Sequence, residues 1–119
     1  MNDKNLLGKE YLLSEEDRLC LEEYMEHMSE LSVNEEADYG KLFAGAIHCD
    51  EESQVELVEL YMKKVPNLAL EKVNRGVSLR QLLEYGMIGA VLGVNRISDA
   101  NLAHESIMQE MERYMERCF

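Results

Sequence analysis

The residues with the clearest chemical capacity are a histidine and two glutamates within a predicted helix. Glu23, His27 and Glu30 are separated by four and three residues, a spacing that places side chains on one helix face. One imidazole and two carboxylates are ligands that a divalent metal accepts. The chain nevertheless has no His-x-x-x-His spacing and no Glu-x-x-His spacing, which multi-ligand helical sites use. We therefore predict no metal and no cofactor, and interpret His27 as a solvated histidine.

A second candidate is the thiol of Cys49, which lies between His48 and Asp50. Sequence neighbours on a helix point about 100° apart, so neither neighbour is aimed at the sulfur. A reactive thiol also needs surroundings that stabilise the thiolate, and acids do not provide them. No nucleophile elbow or phosphate-binding loop accompanies it, and we predict a non-enzymatic protein with no catalytic residue.

An acidic strip on the first predicted helix is the most unusual charge feature. Glu22, Glu26 and Glu30 follow one another at intervals of four, and Glu23 broadens the row. Like charges at this spacing each cost a few tenths of a kcal/mol. Arg18 is the single base between residues 10 and 40, which hold 11 acids. Two interpretations remain: the strip keeps the protein soluble, or it binds a basic protein partner.

The whole chain shares this asymmetry. Its 119 residues include 24 acids and 12 bases, for a net charge of −12. Residues 1–62 hold 17 acids and 4 bases, whereas residues 63–119 hold 7 acids and 8 bases. The bases of the second half fall near predicted helix ends, where the helix dipole favours them. Since no basic stripe with interleaved aromatics is present, we predict no direct nucleic-acid binding.

The elements that carry these residues are all predicted to be helical, because apolar residues recur at intervals of three and four residues and proline is scarce. The pattern predicts an all-α, compact single-domain bundle of five or six helices spanning 1–119, with a loosely ordered segment at 1–13. The first predicted helix runs from about 15 to 31, with Ser14 as its cap and Glu15, Glu16 and Asp17 as acids of its first turn. The second runs from a capping box at Ser32–Glu35 to near His48, and the third from an Asp50 cap to a stop at Pro66. A short helix fits between Asn67 and Arg75, the fifth runs from Leu79 to about Asn95, and the last begins at Ser98 and Asp99 and continues into the C-terminal region.

The fifth predicted helix, over about 79–95, is apolar on all sides and is expected at the centre of the bundle, packed by the first, third and last helices. It contains Gly86, Gly89 and Gly93 on or near one face. Each interior glycine costs about 0.5–1 kcal/mol relative to alanine. That cost is explained if another helix approaches the backbone closely there. Before this helix, Gly76 is predicted to end the preceding helix and Ser78 to cap the new one.

The last predicted helix carries a wide apolar arc rich in methionine. Methionine fills irregular cores, but it also makes adaptable binding surfaces. Two alternatives therefore stay open for this arc: burial within the monomer, or self-association into a homodimer. The residues concerned are Ile107, Met108, Met111, Tyr114 and Met115.

The remaining composition predicts a cytoplasmic protein with no membrane association. The longest apolar run, 85–94, is about half of the roughly 20 residues that a bilayer requires. The N-terminus lacks a basic region leading into an apolar stretch. The three cysteines are odd in number and widely spaced, which favours reduced thiols over a disulfide framework.

Two functions follow as hypotheses. The first is a non-enzymatic acidic interaction protein that binds a basic protein surface, such as an intracellular inhibitor or immunity-type protein acting on a nucleic-acid enzyme. The second is a helical homo-oligomer or assembly subunit that associates through the Met-rich last helix. An enzyme is the third alternative, and it would require a pocket that gathers His27 or Cys49 with several acids.

Overall fold

A computed structural model describes residues 13–31, 37–73 and 75–119. Within these ranges the chain forms six α-helices and no strand, which confirms the all-α prediction. The helices are α1 (Glu15–Ser29), α2 (Tyr39–Ile47), α3 (Glu51–Met62), α4 (Val65–Lys72), α5 (Leu79–Asn95) and α6 (Ala103–Glu116). The expected loose segment at 1–13 lies almost wholly outside the described residues.

Four helices begin at a side chain that accepts a hydrogen bond from the backbone of the first turn. Ser14, Asp50 and Ser78 are such caps, as predicted. The fourth is Asp38, whose carboxylate accepts from the Lys41 amide at 3.2 Å and fixes the start of α2. The capping box predicted at Ser32–Glu35 lies outside the described residues.

Pro66 was wrongly predicted to stop a helix. α3 ends four residues earlier, and Pro66 lies buried in the first turn of α4. Proline is favoured there because its missing N–H has no helical partner in a first turn and its fixed φ already suits the helix. α4 therefore begins and ends earlier than the short helix predicted between Asn67 and Arg75.

The start of the last helix also differs from the prediction. Ser98 and Asp99 do not open it; Asp99 accepts from the Asn101 amide at 2.9 Å and closes a turn that precedes it. α6 begins at Ala103 after Leu102, with no side-chain cap. Asp99 therefore caps a turn and not the helix, because an Asp side chain readily accepts a hydrogen bond from the backbone amide two residues further along the chain.

α5 lies at the centre of the bundle, as its all-round apolar sequence predicts. It contacts α1, α3 and α6, the three predicted neighbours, and α4 as well. Gly86, Gly89 and Gly93 are buried, and a Cβ on Gly93 would lie 3.0 Å from the Cα of Ile107 in α6. The glycines thus let the backbones of α5 and α6 approach each other. Among the described residues no helix is long and apolar enough to cross a membrane.

Candidate protein-binding groove

α1 presents two chemically opposite faces. Its inner face buries Cys20, Leu21, Tyr24 and Met28 in the core. The acidic strip predicted on this helix, Glu22, Glu23, Glu26 and Glu30, is solvent-exposed at all four positions. The periodicity of α1 therefore places the acids on the outside, where a partner could reach them.

Little of the acidic strip is neutralised within the molecule. Glu23 lies 4.0 Å from the guanidinium of Arg80 in α5, and both side chains are largely exposed. Among the described residues, no cation lies within 4.0 Å of the carboxylates of Glu22, Glu26 or Glu30. Arg18, the base that the sequence placed within reach of the strip, forms no such pair. An exposed ion pair of this kind contributes little to stability, so the strip keeps most of its negative charge.

A groove of about 580 Å³ runs along the strip, between α1 and α5. Its apolar lining comes from three helices: Tyr24, Met28, Met62, Leu83 and Met87. Its acidic rim is formed by Glu23, Glu26 and Glu30 from α1 and by Glu84 from α5. The groove therefore combines an apolar floor with negative edges.

Two hydrogen bonds hold α1 in the position that forms this groove. The Tyr24 hydroxyl donates to the carbonyl oxygen of Met62 at 2.6 Å, satisfying one of the free acceptors at the end of α3. Burial raises the pKa of the Tyr24 hydroxyl, so it stays a neutral donor. At the other end, the Asp17 carboxylate accepts from the Leu79 amide at 3.1 Å, so that α1 caps α5.

The apolar floor continues along α5 as an exposed patch. Met87, Ile88, Val91 and Leu92 line a shallow depression that shares Met87 and Glu84 with the groove. Ile88 is 44% exposed and Val91 is 39% exposed. We call Ile88, Val91 and Leu92 the apolar extension. The sequence showed that α5 is apolar all round, but it could not show which side is left uncovered by the described residues.

α3 carries a second acidic surface that the sequence did not single out, with Glu51 and Glu52 exposed and Glu56 and Glu59 half-buried. Glu51, Glu52, Glu56 and Glu59 surround Val55, whose side chain is 57% exposed. Glu51 and Glu52 lie in the first turn, where the helix dipole favours acids, so helix stability alone explains two of the four. These residues line a depression of about 500 Å³. Its described lining comes from α3 alone, whereas the groove beside α1 is lined from three helices.

The candidate ligands Glu23, His27 and Glu30 all line the groove, and the candidate nucleophile Cys49 lies apart from them. His27 lines the groove and is exposed, whereas Cys49 is exposed at the end of α2. Asp50 next to that thiol is occupied as a cap, accepting from the Ser53 amide at 3.2 Å and from its hydroxyl at 2.6 Å. In the described part of the chain, no three His, Cys, Asp or Glu side chains are placed to hold a metal ion.

The Met-rich arc of α6 is largely consumed inside the monomer. Ile107, Met111 and Met115 have no exposed surface, and all three pack against the glycine face of α5. Met108 and Tyr114 are half-buried. Self-association through α6 could therefore use only these two of the five residues in the folded chain.

The groove brings the acidic strip of α1 beside α5 and its apolar extension, although the two helices lie far apart in sequence. Their arrangement is a property of the fold, with α1 and α5 anchored by Asp17 and Tyr24. Comparison of the chain with protein-family models, with curated proteins and with solved structures gave no match.

Proposed function

We propose that this protein is a non-enzymatic interaction protein whose acidic strip binds a basic surface of a protein partner, in the manner of an intracellular inhibitor or immunity-type protein. The observation that supports this function best is the exposure of all four glutamates, of which only Glu23 lies near a cation of the described residues. Like charges at this spacing on one helix reduce the stability of the fold, and the three without a described cation nearby are free to bind a partner.

The spacing of the strip suits a partner rich in Lys and Arg. Glu22, Glu26 and Glu30 rise about 6 Å from one to the next along the helix axis. A cleft that binds phosphate groups presents positive charges at comparable intervals, so a nucleic-acid enzyme is a partner of suitable chemistry. Exposed charges of this kind act mainly by steering association, which makes the association rate depend on salt.

The test compares two triple variants of the full chain. In the first, the strip is neutralised as Glu22→Gln, Glu26→Gln and Glu30→Gln. In the matched control, the same charge is removed from α3 as Glu52→Gln, Glu56→Gln and Glu59→Gln. Wild type and both variants are immobilised and exposed to extract of the source cell, and proteins eluted by a salt gradient are identified by mass spectrometry.

We expect wild type and the α3 control to retain the same basic protein, and the strip variant to lose it. With that protein purified, the association rate of the strip variant should be lower and less dependent on salt. Equal retention by wild type and the strip variant would show that the acids serve solubility alone.

A further inference from the structure

We propose that the groove between α1 and α5 takes up a basic amphipathic α-helix of the partner, with its apolar face on the groove floor and its Lys and Arg side chains against the acidic rim. This inference rests on the proposed function and specifies the structural element that is bound. Amphipathic helices are recognised in this way through apolar anchors at i, i+3 or i+4, and i+7.

The groove floor has the side chains that such a ligand requires. Met28, Met62 and Met87 line it together with Leu83 and Tyr24. Methionine is unbranched and polarizable, so a floor of three methionines adapts to apolar side chains of different shape. The floor is therefore suited to a helix whose anchors are leucine, isoleucine or phenylalanine.

The length of the apolar surface matches a short helix. From Leu83 in the groove to Leu92 in the apolar extension, α5 spans about 14 Å at 1.5 Å per residue. A ligand helix of about two and a half turns covers that distance and presents three anchors, at i, i+3 or i+4, and i+7. Ile88 and Val91 would be covered by its far end.

Charge selects a basic helix over a neutral or acidic one. Both walls of the groove are acidic, with Glu26 and Glu30 on α1 and Glu84 on α5. Among the described lining residues Arg80 is the one Lys or Arg, and it already lies beside Glu23. An acidic helix would meet like charges on both sides, whereas Lys and Arg flanking an apolar face would meet a carboxylate on either wall.

The exposed positions of α5 support an occupant independently of the acidic strip. The glycine side of α5 is covered by α6 and by Val65 of α4, so the core does not require Ile88 and Val91 on the opposite surface. Aliphatic side chains this exposed, next to a groove with a continuous apolar floor, are typical of a binding surface. The overlap of this patch with the acidic rim at Glu84 places both recognition features along one line.

The inference is tested with two synthetic peptides of identical composition, about 18 residues long and made of Leu, Lys and Ala. In the first, Leu occupies i, i+3, i+4 and i+7; in the second, the order is permuted so that no apolar face forms. Each carries a fluorophore, and binding to the full chain is followed by anisotropy. Because the two peptides have the same charge, the difference between them measures the apolar contact.

The protein variants are Ile88→Asp on the groove side and Val55→Asp on α3. Both replace an exposed β-branched residue within a helix by aspartate, so both add one negative charge. We expect the amphipathic peptide to bind wild type and Val55→Asp about tenfold more tightly than the permuted peptide does. Ile88→Asp should bind both peptides equally, even though its added negative charge attracts the basic peptides. If circular dichroism shows that Ile88→Asp is unfolded, Ile88→Ser is tested in its place.

The outcomes separate the inference from the proposed function. Equal binding of both peptides, weakened only in the Glu22, Glu26 and Glu30 triple variant, would overturn the helix-in-groove inference and leave an electrostatic strip. An unchanged peptide preference in both Ile88 variants would overturn it as well, as would binding of neither peptide. The proposed function fails separately, through equal capture of the cellular partner by wild type and the strip variant.

Discussion

Gly89 of α5 lies directly beneath the backbone of Met111 in α6, so close that a Cβ added at Gly89 would be 2.5 Å from the Met111 Cα. Real Cβ atoms do not approach another Cα this closely, and a backbone atom cannot rotate away as a side chain can. The two helices therefore meet backbone to backbone at this point, and Ile107 and Met115 flank it in the core.

We predict that Gly89→Ala destabilises the protein by about 1–3 kcal/mol, because overpacking outweighs the better helix propensity of alanine. The matched control is Gly40→Ala in α2, where the added Cβ would meet nothing closer than 3.5 Å. That variant should be neutral or more stable by up to about 1 kcal/mol. Urea denaturation of both variants checks the pair, and equal effects would show that α5 and α6 can separate freely.

Cys49 has a backbone φ of 61°, the left-handed conformation that closes α2. Its own amide bonds to the Ala46 carbonyl and the next amide, of Asp50, bonds to the Gly45 carbonyl at 2.9 Å, as in a Schellman motif. A side chain here strains the backbone, and glycine does not. We predict that Cys49→Gly stabilises the fold by about 0.5–1 kcal/mol.

Cys49→Ala is the control for that prediction, since it removes the thiol and keeps the Cβ. It should leave the denaturation midpoint close to that of wild type. If alanine and glycine stabilise equally, the thiol rather than the backbone conformation is the source of the effect.

The sequence predicted most helices because their signals are local. Ser14, Asp50 and Ser78 each accept a hydrogen bond from an amide three residues further along the chain, and the glycine spacing of α5 lies within one helix. Asp38 was missed because a capping box at 32–35 gave an equally good local signal. The exposure of the acidic strip could also be anticipated, since it follows from helical periodicity.

The groove could not be predicted, because its lining depends on which helices pack together. Met62 ends α3 and Met87 lies within α5, and no local pattern brings either beside Met28 of α1. In the same way, Asp17 was interpreted as a first-turn acid of its own helix. Its bond to Leu79, 62 residues away, depends on the packing of α1 on α5.

That long-range cap gives the next prediction. Asp17→Ala leaves the first amide of α5 without its acceptor and should cost about 1 kcal/mol more than Glu16→Ala. Both variants remove one acid from the first turn of α1, so the loss of helix-dipole stabilisation is shared. Hydrogen exchange should show faster exchange of the Leu79 amide in Asp17→Ala alone. An equal change in both variants would mean that the bond contributes nothing.

An ion pair between a largely buried lysine of α4 and a glutamate of α6 links the two helices. The Lys72 ammonium lies 2.8 Å from Glu116, and the Lys72 residue is only 9% exposed. The hydrogen bond from Lys72, its charge and that of Arg75 hold the pKa of the Glu116 carboxyl below its ordinary value. The stability gained from a lowered carboxyl pKa is present above the unfolded-state pKa and is lost as the pH falls through the folded-state value.

We therefore predict a pH-dependent coupling between these two side chains. A double-mutant cycle of Lys72→Met and Glu116→Gln should give a favourable coupling free energy at pH 7. The coupling should disappear on the acid side of the ordinary glutamate pKa of about 4.3, where wild-type Glu116 becomes neutral. Urea denaturation across that range measures it, and a coupling that persists once the carboxyl is protonated would contradict the electrostatic origin.

The acidic strip itself should reduce stability in a salt-dependent way. Neighbouring carboxylates among Glu22, Glu26 and Glu30 are about 6 Å apart along the axis, less than the screening length of about 30 Å at 0.01 M salt and more than about 3 Å at 1 M. Glu26→Lys converts both like-charge pairs into attractive ones, whereas Glu26→Gln only removes the repulsion. We expect each affected pair to change the free energy of unfolding by a few tenths of a kcal/mol at low salt. Glu26→Lys should be the most stable, Glu26→Gln the next and wild type the least. Denaturation midpoints that converge at high salt would confirm the electrostatic cause, and midpoints that stay apart would attribute the effect to helix propensity. A variant that gains stability in this way and loses the partner would show that Glu26 is kept for binding at the expense of the fold.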